Sequence, residues 1–170
     1  MTKVLGGIVL AACIILAASC GSKSTTDSES APAPVLNADG ATTNLPHLSG
    51  PPKYFLDRLG AVVIPSTAKA VPISSTDQVA GMGWAADGPA QLLAGGVDIV
   101  IDGKAYAAKY GAPRPDVAKF LKVPAYTACG FSFSFPAAAF EKGKHRLSVR
   151  VLNHDKTGYW ESDTFPFECQ

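Results

Sequence analysis

Arg114-Pro115-Asp116-Val117 sets a guanidinium and a carboxylate on either side of a rigid ring, a pair able to grip an anion or hold a metal. A plainer use competes with that chemistry. Pro115 biases Arg114 away from helix, and Asp116 can cap a short turn that buries Val117, Phe120 and Leu121 while Arg114 reaches a carbonyl or carboxylate. Arg114 and Asp116 are thus candidate binding residues with capping as the simpler account. A calcium site would have to recruit Asp98, Asp102 or Asp155, whose spacing fits no calcium loop. His47, His145 and His154 share no metal-ligand spacing with one another or with a cysteine, so no metal and no cofactor is assigned. His47 and His154 fall in segments where solvated side chains are expected, and His145 enters a strand, where packing or bonding at the rim is the expectation. A nucleophile on a strained Gly-x-Ser-x-Gly turn is missing, and Ser132 and Ser134 sit in a regular strand pattern. No enzyme is expected; an envelope hydrolase or a calcium-stabilised module is the alternative.

Tyr106, Tyr110, Tyr126, Tyr159 and Trp160 leave a second opening, because exposed rings stack on sugars or anchor a protein partner. Tyr159 and Trp160 are adjacent on one strand and must point to opposite faces. Trp160 is expected to be the outer one, and both are candidate binding residues.

The elements that would carry these side chains have a period of two. Phe131, Phe133 and Phe135 alternate with Ser132 and Ser134, and Leu147, Val149 and Val151 alternate with Ser148 and Arg150. Val97, Ile99 and Ile101 form a third inward row, followed by Asp102-Gly103, the dipeptide of a tight type I′ turn. Residues 97–101 and 104–109 therefore read as a hairpin. Ala80, Met82 and Trp84 form a further row spaced by Gly81 and Gly83, with Trp84 expected between the sheets beside the phenylalanines. A last hairpin turns at residues 153–158 and returns over 159–167, and residues 116–121 are the one helical turn. Six or seven short strands with scarce helix predict an all-β chain, an antiparallel β-sandwich.

The amino-terminal region speaks to location. Residues 4–18 are apolar after Lys3, about 15 residues, short of what roughly 30 Å of hydrocarbon needs and suited to the h-region of a signal peptide. Leu16-Ala17-Ala18-Ser19-Cys20 resembles a bacterial lipobox, whose cysteine takes a diacylglyceryl group. Leu10-Ala11-Ala12-Cys13 matches the letters better, but Cys13 would strand Ile14-Ile15-Leu16 outside the inserted segment, so lipidation is placed at Cys20. Residues 1–19 are then a signal peptide, and the lipid on Cys20 attaches the chain to a membrane of the cell envelope. Gly21 after the cysteine permits, by analogy, sorting to an outer membrane. Residues 20–50 form a flexible tether rich in Ser, Thr, Ala, Pro and Gly, and residues 51–170 one folded domain.

Lys3 is the sole charged residue of the first 19, so the rest balances 14 basic against 14 acidic side chains. Such a surface gives no long-range pull on nucleic acid, which is not expected as a partner. Outside the cytosol the remaining cysteines, Cys129 and Cys169, are expected to form a disulfide, which by loop entropy over roughly 40 residues would add about 4 kcal/mol.

Gly83-Trp84-Ala85, the strand ending in Asp102-Gly103, Arg114-Pro115-Asp116-Val117, Cys129-Gly130-Phe131 and Gly143-Lys144-His145-Arg146-Leu147 follow one another in an order that resembles immunoglobulin-like β-sandwich modules of bacterial envelope and secreted proteins. The resemblance spans about residues 55–165. It implies an interaction, adhesion or spacer module without one shared ligand; an envelope protein or a glycan is the partner expected for such a module here.

Overall fold

The computed structural model describes residues 44–170; the apolar run, Cys20 and the tether up to residue 43 lie outside the described residues. Twelve strands divide into two sheets. In chain order they are β1 (Lys53–Leu59), β2 (Val62–Val63), β3 (Val71–Ile73), β4 (Gln78–Asp87), β5 (Leu92–Leu93), β6 (Gly96–Ile101), β7 (Lys104–Ala107) and β8 (Lys109–Ala112). A helix α1 (Pro115–Leu121) and a 3-10 turn (Pro124–Ala128) precede β9 (Gly130–Pro136), β10 (Gly143–Leu152), β11 (Tyr159–Glu161) and β12 (Phe165–Cys169). Sheet I runs β2-β1-β4-β9-β8 with β5 added to β4, and sheet II runs β3-β12-β10-β6-β7 with β11 added to β10. Every pair is antiparallel except β3 with β12, which is parallel and makes sheet II mixed.

The core lies between the sheets, where Leu56, Leu59, Val79, Phe131, Phe133 and Phe135 of sheet I meet Val97, Ile99, Ile101, Leu147, Val149 and Val151 of sheet II. The Phe, Leu-Val and Val-Ile rows therefore face inward as their alternation predicts. The Asp102-Gly103 turn also forms as expected, with φ of 49° and 82° and Ile101 opposite Lys104. Residues 104–109, expected as one strand, instead divide at Ala108, so that β7 pairs β6 in sheet II and β8 pairs β9 in sheet I. The final hairpin divides too: β11 covers one end of β10 and β12 the other. Between them Ser162 holds Val149 with both its amide and its hydroxyl.

Trp84 is not between the sheets. Gly81 and Gly83 take the inward positions of β4, leaving Ala80, Met82 and Trp84 on the outer face. The reason is volume. A Cβ on Gly81 would stand 2.5 Å from Phe133 Cζ, and one on Gly83 would strike Phe131 and the carbonyl of Phe55. The phenylalanines of β9 already occupy the space above those glycines, and close packing admits no second occupant.

Cys129 and Cys169 are free thiols, each buried, and form no disulfide. The carbonyl of Cys129 accepts from Ala85 near the end of β4, whereas Gln170, next to Cys169, accepts from Ser75 just before its start. Along a strand that separation is on the order of 20 Å, far beyond the roughly 7 Å Cα limit for a bridge. Burial drives the Cys129 thiol up to about 11 and raises Cys169 as well, which keeps both protonated.

At the amino-terminal edge, Leu48 donates to the carbonyl of Tyr159 and Tyr159 donates to that of Pro46, at 2.7 and 3.1 Å. His47 bridges Tyr159 in a parallel sense and meets its ring edge-on at 5.4 Å. Pro46, His47 and Leu48, in the stretch expected as tether, are thus paired with β11.

Candidate functional site

Among the described residues, the outer face of sheet I is closed at one end only. There α1 and the following 3-10 turn lay Val117, Ala118, Tyr126 and Cys129 over Ala86, with Trp84, Leu93, Leu121 and Val123 packed around them. Pro115 at the first helical position and a left-handed Lys122 just past the last bound α1, and Arg114 lends its carbonyl to the amides of Val117 and Ala118. One side of Trp84 is covered by this second cluster. Its other side lines a groove of about 430 Å³ with Phe55, Arg114, Asp116, Val117 and Phe120.

Register explains how these side chains meet. Phe55 lies opposite Trp84, and Trp84 opposite Gly130. A bulge between Leu56 and Arg58 leaves Asp57 without a ladder partner, and such an extra residue re-aims its side chain. The Asp57 carboxylate accepts from Arg114 Nη1 at 2.6 Å. Arg114 Nε and Nη2 donate to Asp116 at 3.0 and 2.8 Å. The stem of Arg114 passes over Gly130, where a Cβ would be 3.0 Å from its Cγ. One guanidinium is therefore clasped by two carboxylates from distant parts of the chain. Its hydrogen bond to Asp116, outweighing burial, and that to Asp57 raise the Arg114 pKa further, while the same guanidinium holds the exposed Asp116 below the usual carboxylate range.

Asp116 does not serve as the helix cap: the N-cap is Arg114, with no side-chain cap bond, and Asp116 stands in the first turn as the acceptor of Arg114. Phe120, expected to be buried by that turn, is 83% exposed. In a helix this short Val117, Ala118 and Leu121 already cover the sheet, and Phe120 overhangs its margin. The other large apolar side chains left exposed among the described residues, Phe55, Val63, Ile64, Met82 and Leu92, also belong to sheet I or its β2 edge.

The other nominated aromatics have internal duties. Trp160 is not the outer member of its pair; it lies opposite the inward-facing Val151, is 6% exposed and joins the main core. Tyr159 takes the outer face, where the Arg150 guanidinium stacks on it at 4.2 Å. Tyr106 packs on Phe135 at 5.2 Å. Tyr110 donates to the Ala85 carbonyl and accepts from the Ala94 amide, and burial pushes its hydroxyl up to about 12. Tyr126 is wholly buried and donates to the Asp87 carbonyl at 3.3 Å.

His145 bonds at the rim of sheet II. Its Nδ1 is 2.6 Å from Asp102 and its Nε2 is 2.7 Å from the Glu141 carbonyl, with Phe167 stacked at 5.1 Å. Both partners only accept, so both nitrogens must donate, which describes an imidazolium. Burial opposes that charge, but Asp102 and the carbonyl overcome it and the His145 pKa is raised. His154 meets the Leu93 carbonyl. Ser134 donates to Gln78, and no group of three or more His, Cys, Asp or Glu side chains with metal-binding geometry occurs among the described residues. Asp102 and Asp116, both nominated for calcium, have His145 and Arg114 as their partners.

No family model and no curated protein sequence matches the chain. Among solved structures it is similar to the X-ray structure of an endo-beta-1,4-mannanase from Thermotoga petrophila, at 8% identity and a TM-score of 0.43. That likeness covers 71% of this chain and 20% of the other, a piece of a much longer protein.

Sequence reasoning overlooked Asp57, Phe55 and the outward turn of Trp84. The Gly81/Gly83 spacing opposite three alternating phenylalanines was the available signal: two empty positions on one strand match large rings on its neighbour. Nothing in the sequence announced the bulge.

Proposed function

We infer that this chain is a bacterial envelope lipoprotein, acylated at Cys20 and carrying on a short tether a non-catalytic binding or accessory module, with the outer face of sheet I as its binding surface. The observation that supports this is the gathering of exposed apolar side chains on that sheet, beside a guanidinium held rigidly by Asp57 and Asp116. Uncovered aromatics next to fixed polar groups are how binding sites combine affinity with orientation. An immunoglobulin-like assignment within the sandwich class draws support from two packed sheets and from a segment, β7 to β8, that crosses between them. Anchoring agrees with the apolar run ending at Cys20, and Gly21 suits delivery to an outer membrane where the cell has one.

Labelling of cells with an alkynyl palmitate analogue, followed by membrane fractionation, tests the anchor. Label and membrane association lost in Cys20→Ala are the expected result; an unlabelled wild-type chain in the cytosolic fraction overturns it. Replacing Phe120 with a photo-crosslinking residue tests the surface, and the same probe at Lys144 on sheet II serves as the control. Crosslinks from the control alone would defeat the assignment of the face.

A further inference from the structure

We propose that the Phe55–Trp84–Phe120 groove is a subsite for a neutral, hydroxyl-rich glycan, an inference that rests on the binding-module reading above. Three features of the groove select this chemistry. Apart from Val117 its apolar walls are aromatic: Trp84 is fixed by the cluster beneath it, Phe55 lies opposite on β1, and Phe120 overhangs from α1. Ring faces of this kind attract the C–H faces of a pyranose, which are apolar and carry partial positive charge. The volume of about 430 Å³ falls within the range of small-ligand sites, roughly 300–1,000 Å³.

The polar side is rich in acceptors. Arg114 spends Nε and Nη2 on Asp116 and Nη1 on Asp57, which uses three of its five N–H groups, whereas the two carboxylates each offer about four lone-pair positions. Sugar hydroxyls donate to such oxygens without bringing charge. The one cation lining the groove, Arg114, is already neutralised by Asp116 in the groove and by Asp57 behind it, which disfavours a phosphate, sulfate or uronate group. A cationic side chain would have to share the carboxylates with Arg114, a like charge already bonded to both. A hydroxyl meets neither penalty. Asp116 is the more open of the two acids, with its side chain 64% exposed against 33% for Asp57, and is the acceptor a ligand reaches first.

Intrinsic fluorescence and calorimetry of the full chain, in a detergent without a sugar headgroup, test the proposal. The probes are defined neutral oligosaccharides of hexose and N-acetylhexosamine. Trp160 is sealed in the core, so a ligand-dependent change in emission reports Trp84. The expected result is saturable binding by at least one oligosaccharide that weakens about tenfold or more in Phe120→Ser, and weakens also in Asp116→Asn, with thermal midpoints unchanged. Saturable binding indifferent to both substitutions overturns the subsite. Absence of any response at millimolar oligosaccharide also overturns it. If, in that case, the Phe120 crosslinker still captures one defined envelope protein, the binding face survives and only the glycan assignment fails; with no capture either, both fail.

Discussion

The two outer faces of the sandwich use the same strand geometry to opposite ends. On sheet II, Arg150 lies between Glu161 and Asp98 in the register, stacks on Tyr159 and bonds to Glu161, while the buried Ser148 donates to the other Glu161 oxygen at 2.6 Å. Asp98 and Ser148 are buried although they sit on the outward side. Polar groups here satisfy one another, and a surface closed in this way has little left to offer a ligand. On sheet I several outward positions are apolar and open, Met82 and Phe55 among them, with Gln78, Ser132 and Ser134 outward beside them and the charged clasp at the α1 end. Polarity and availability are therefore separate properties. The charged face is self-sufficient and the apolar face is unfinished.

The largest expected effect comes from the two tryptophans, one on each side of that contrast. Trp160→Ala should cost about 3–5 kcal/mol by opening a cavity in the core, whereas Trp84→Ala, which uncovers only part of the second cluster, should cost about 1–2 kcal/mol. Equal losses in urea denaturation would break the distinction between inner and outer positions. Glu161→Ala comes next. It strands the buried Ser148 hydroxyl and the Arg150 guanidinium, and a loss of about 2–3 kcal/mol in the same assay is expected; a loss below half a kcal/mol would mean that water completes sheet II as well as Glu161 does.

A smaller effect concerns pH and belongs to sheet II alone. The folded-state pKa of His145 lies above its ordinary 6.5, so its stabilisation is complete below about that pH and fades as pH rises through the folded value. Asp102 is lowered from 3.8: burial opposes this, but the His145 bond and the Arg146 amide prevail, so its contribution is present above that pH and fades on further acidification. The pair therefore supports the fold most between roughly pH 4 and 6.5. Thermal midpoints should fall between pH 6 and 8, and Asp102→Asn should flatten that slope; an unchanged slope would show that His145 does not carry it. The smallest stability effect is expected at Phe120→Ser, within about 0.5 kcal/mol, because the side chain is almost wholly in water. A larger destabilisation would mean that Phe120 supports the fold, and the unfinished face would shrink by its most exposed member.

Legibility followed locality. The phenylalanine row of β9, the Leu-Val row of β10 and the Asp102-Gly103 turn were readable because each depends on residues a few positions apart. Trp84 was misread because glycine hides its facing: Ala80, Met82 and Trp84 look like a buried row until Phe131 and Phe133 are seen to fill the space over Gly81 and Gly83. Trp160 was misread because adjacency dictates only that it and Tyr159 face opposite ways; pairing with Val151 chooses between them. Two residues of the candidate site, Arg114 and Asp116, were visible as a motif. The other four, Asp57, Phe55, Trp84 and Phe120, were not.

The order of residues along the chain determined the strand periods, the tight turn and the short helix, since backbone preference and alternation act over a few residues. It left open which cysteines come together, which tryptophan faces the core and what Arg114 would grip. Those were decided by the stacking of the two sheets, because a bulge 57 residues before Arg114 and a strand register are relations between distant segments. Proximity in space, which sequence spacing does not measure, made a clasp of Asp57, Arg114 and Asp116 and kept Cys129 and Cys169 at opposite ends of β4.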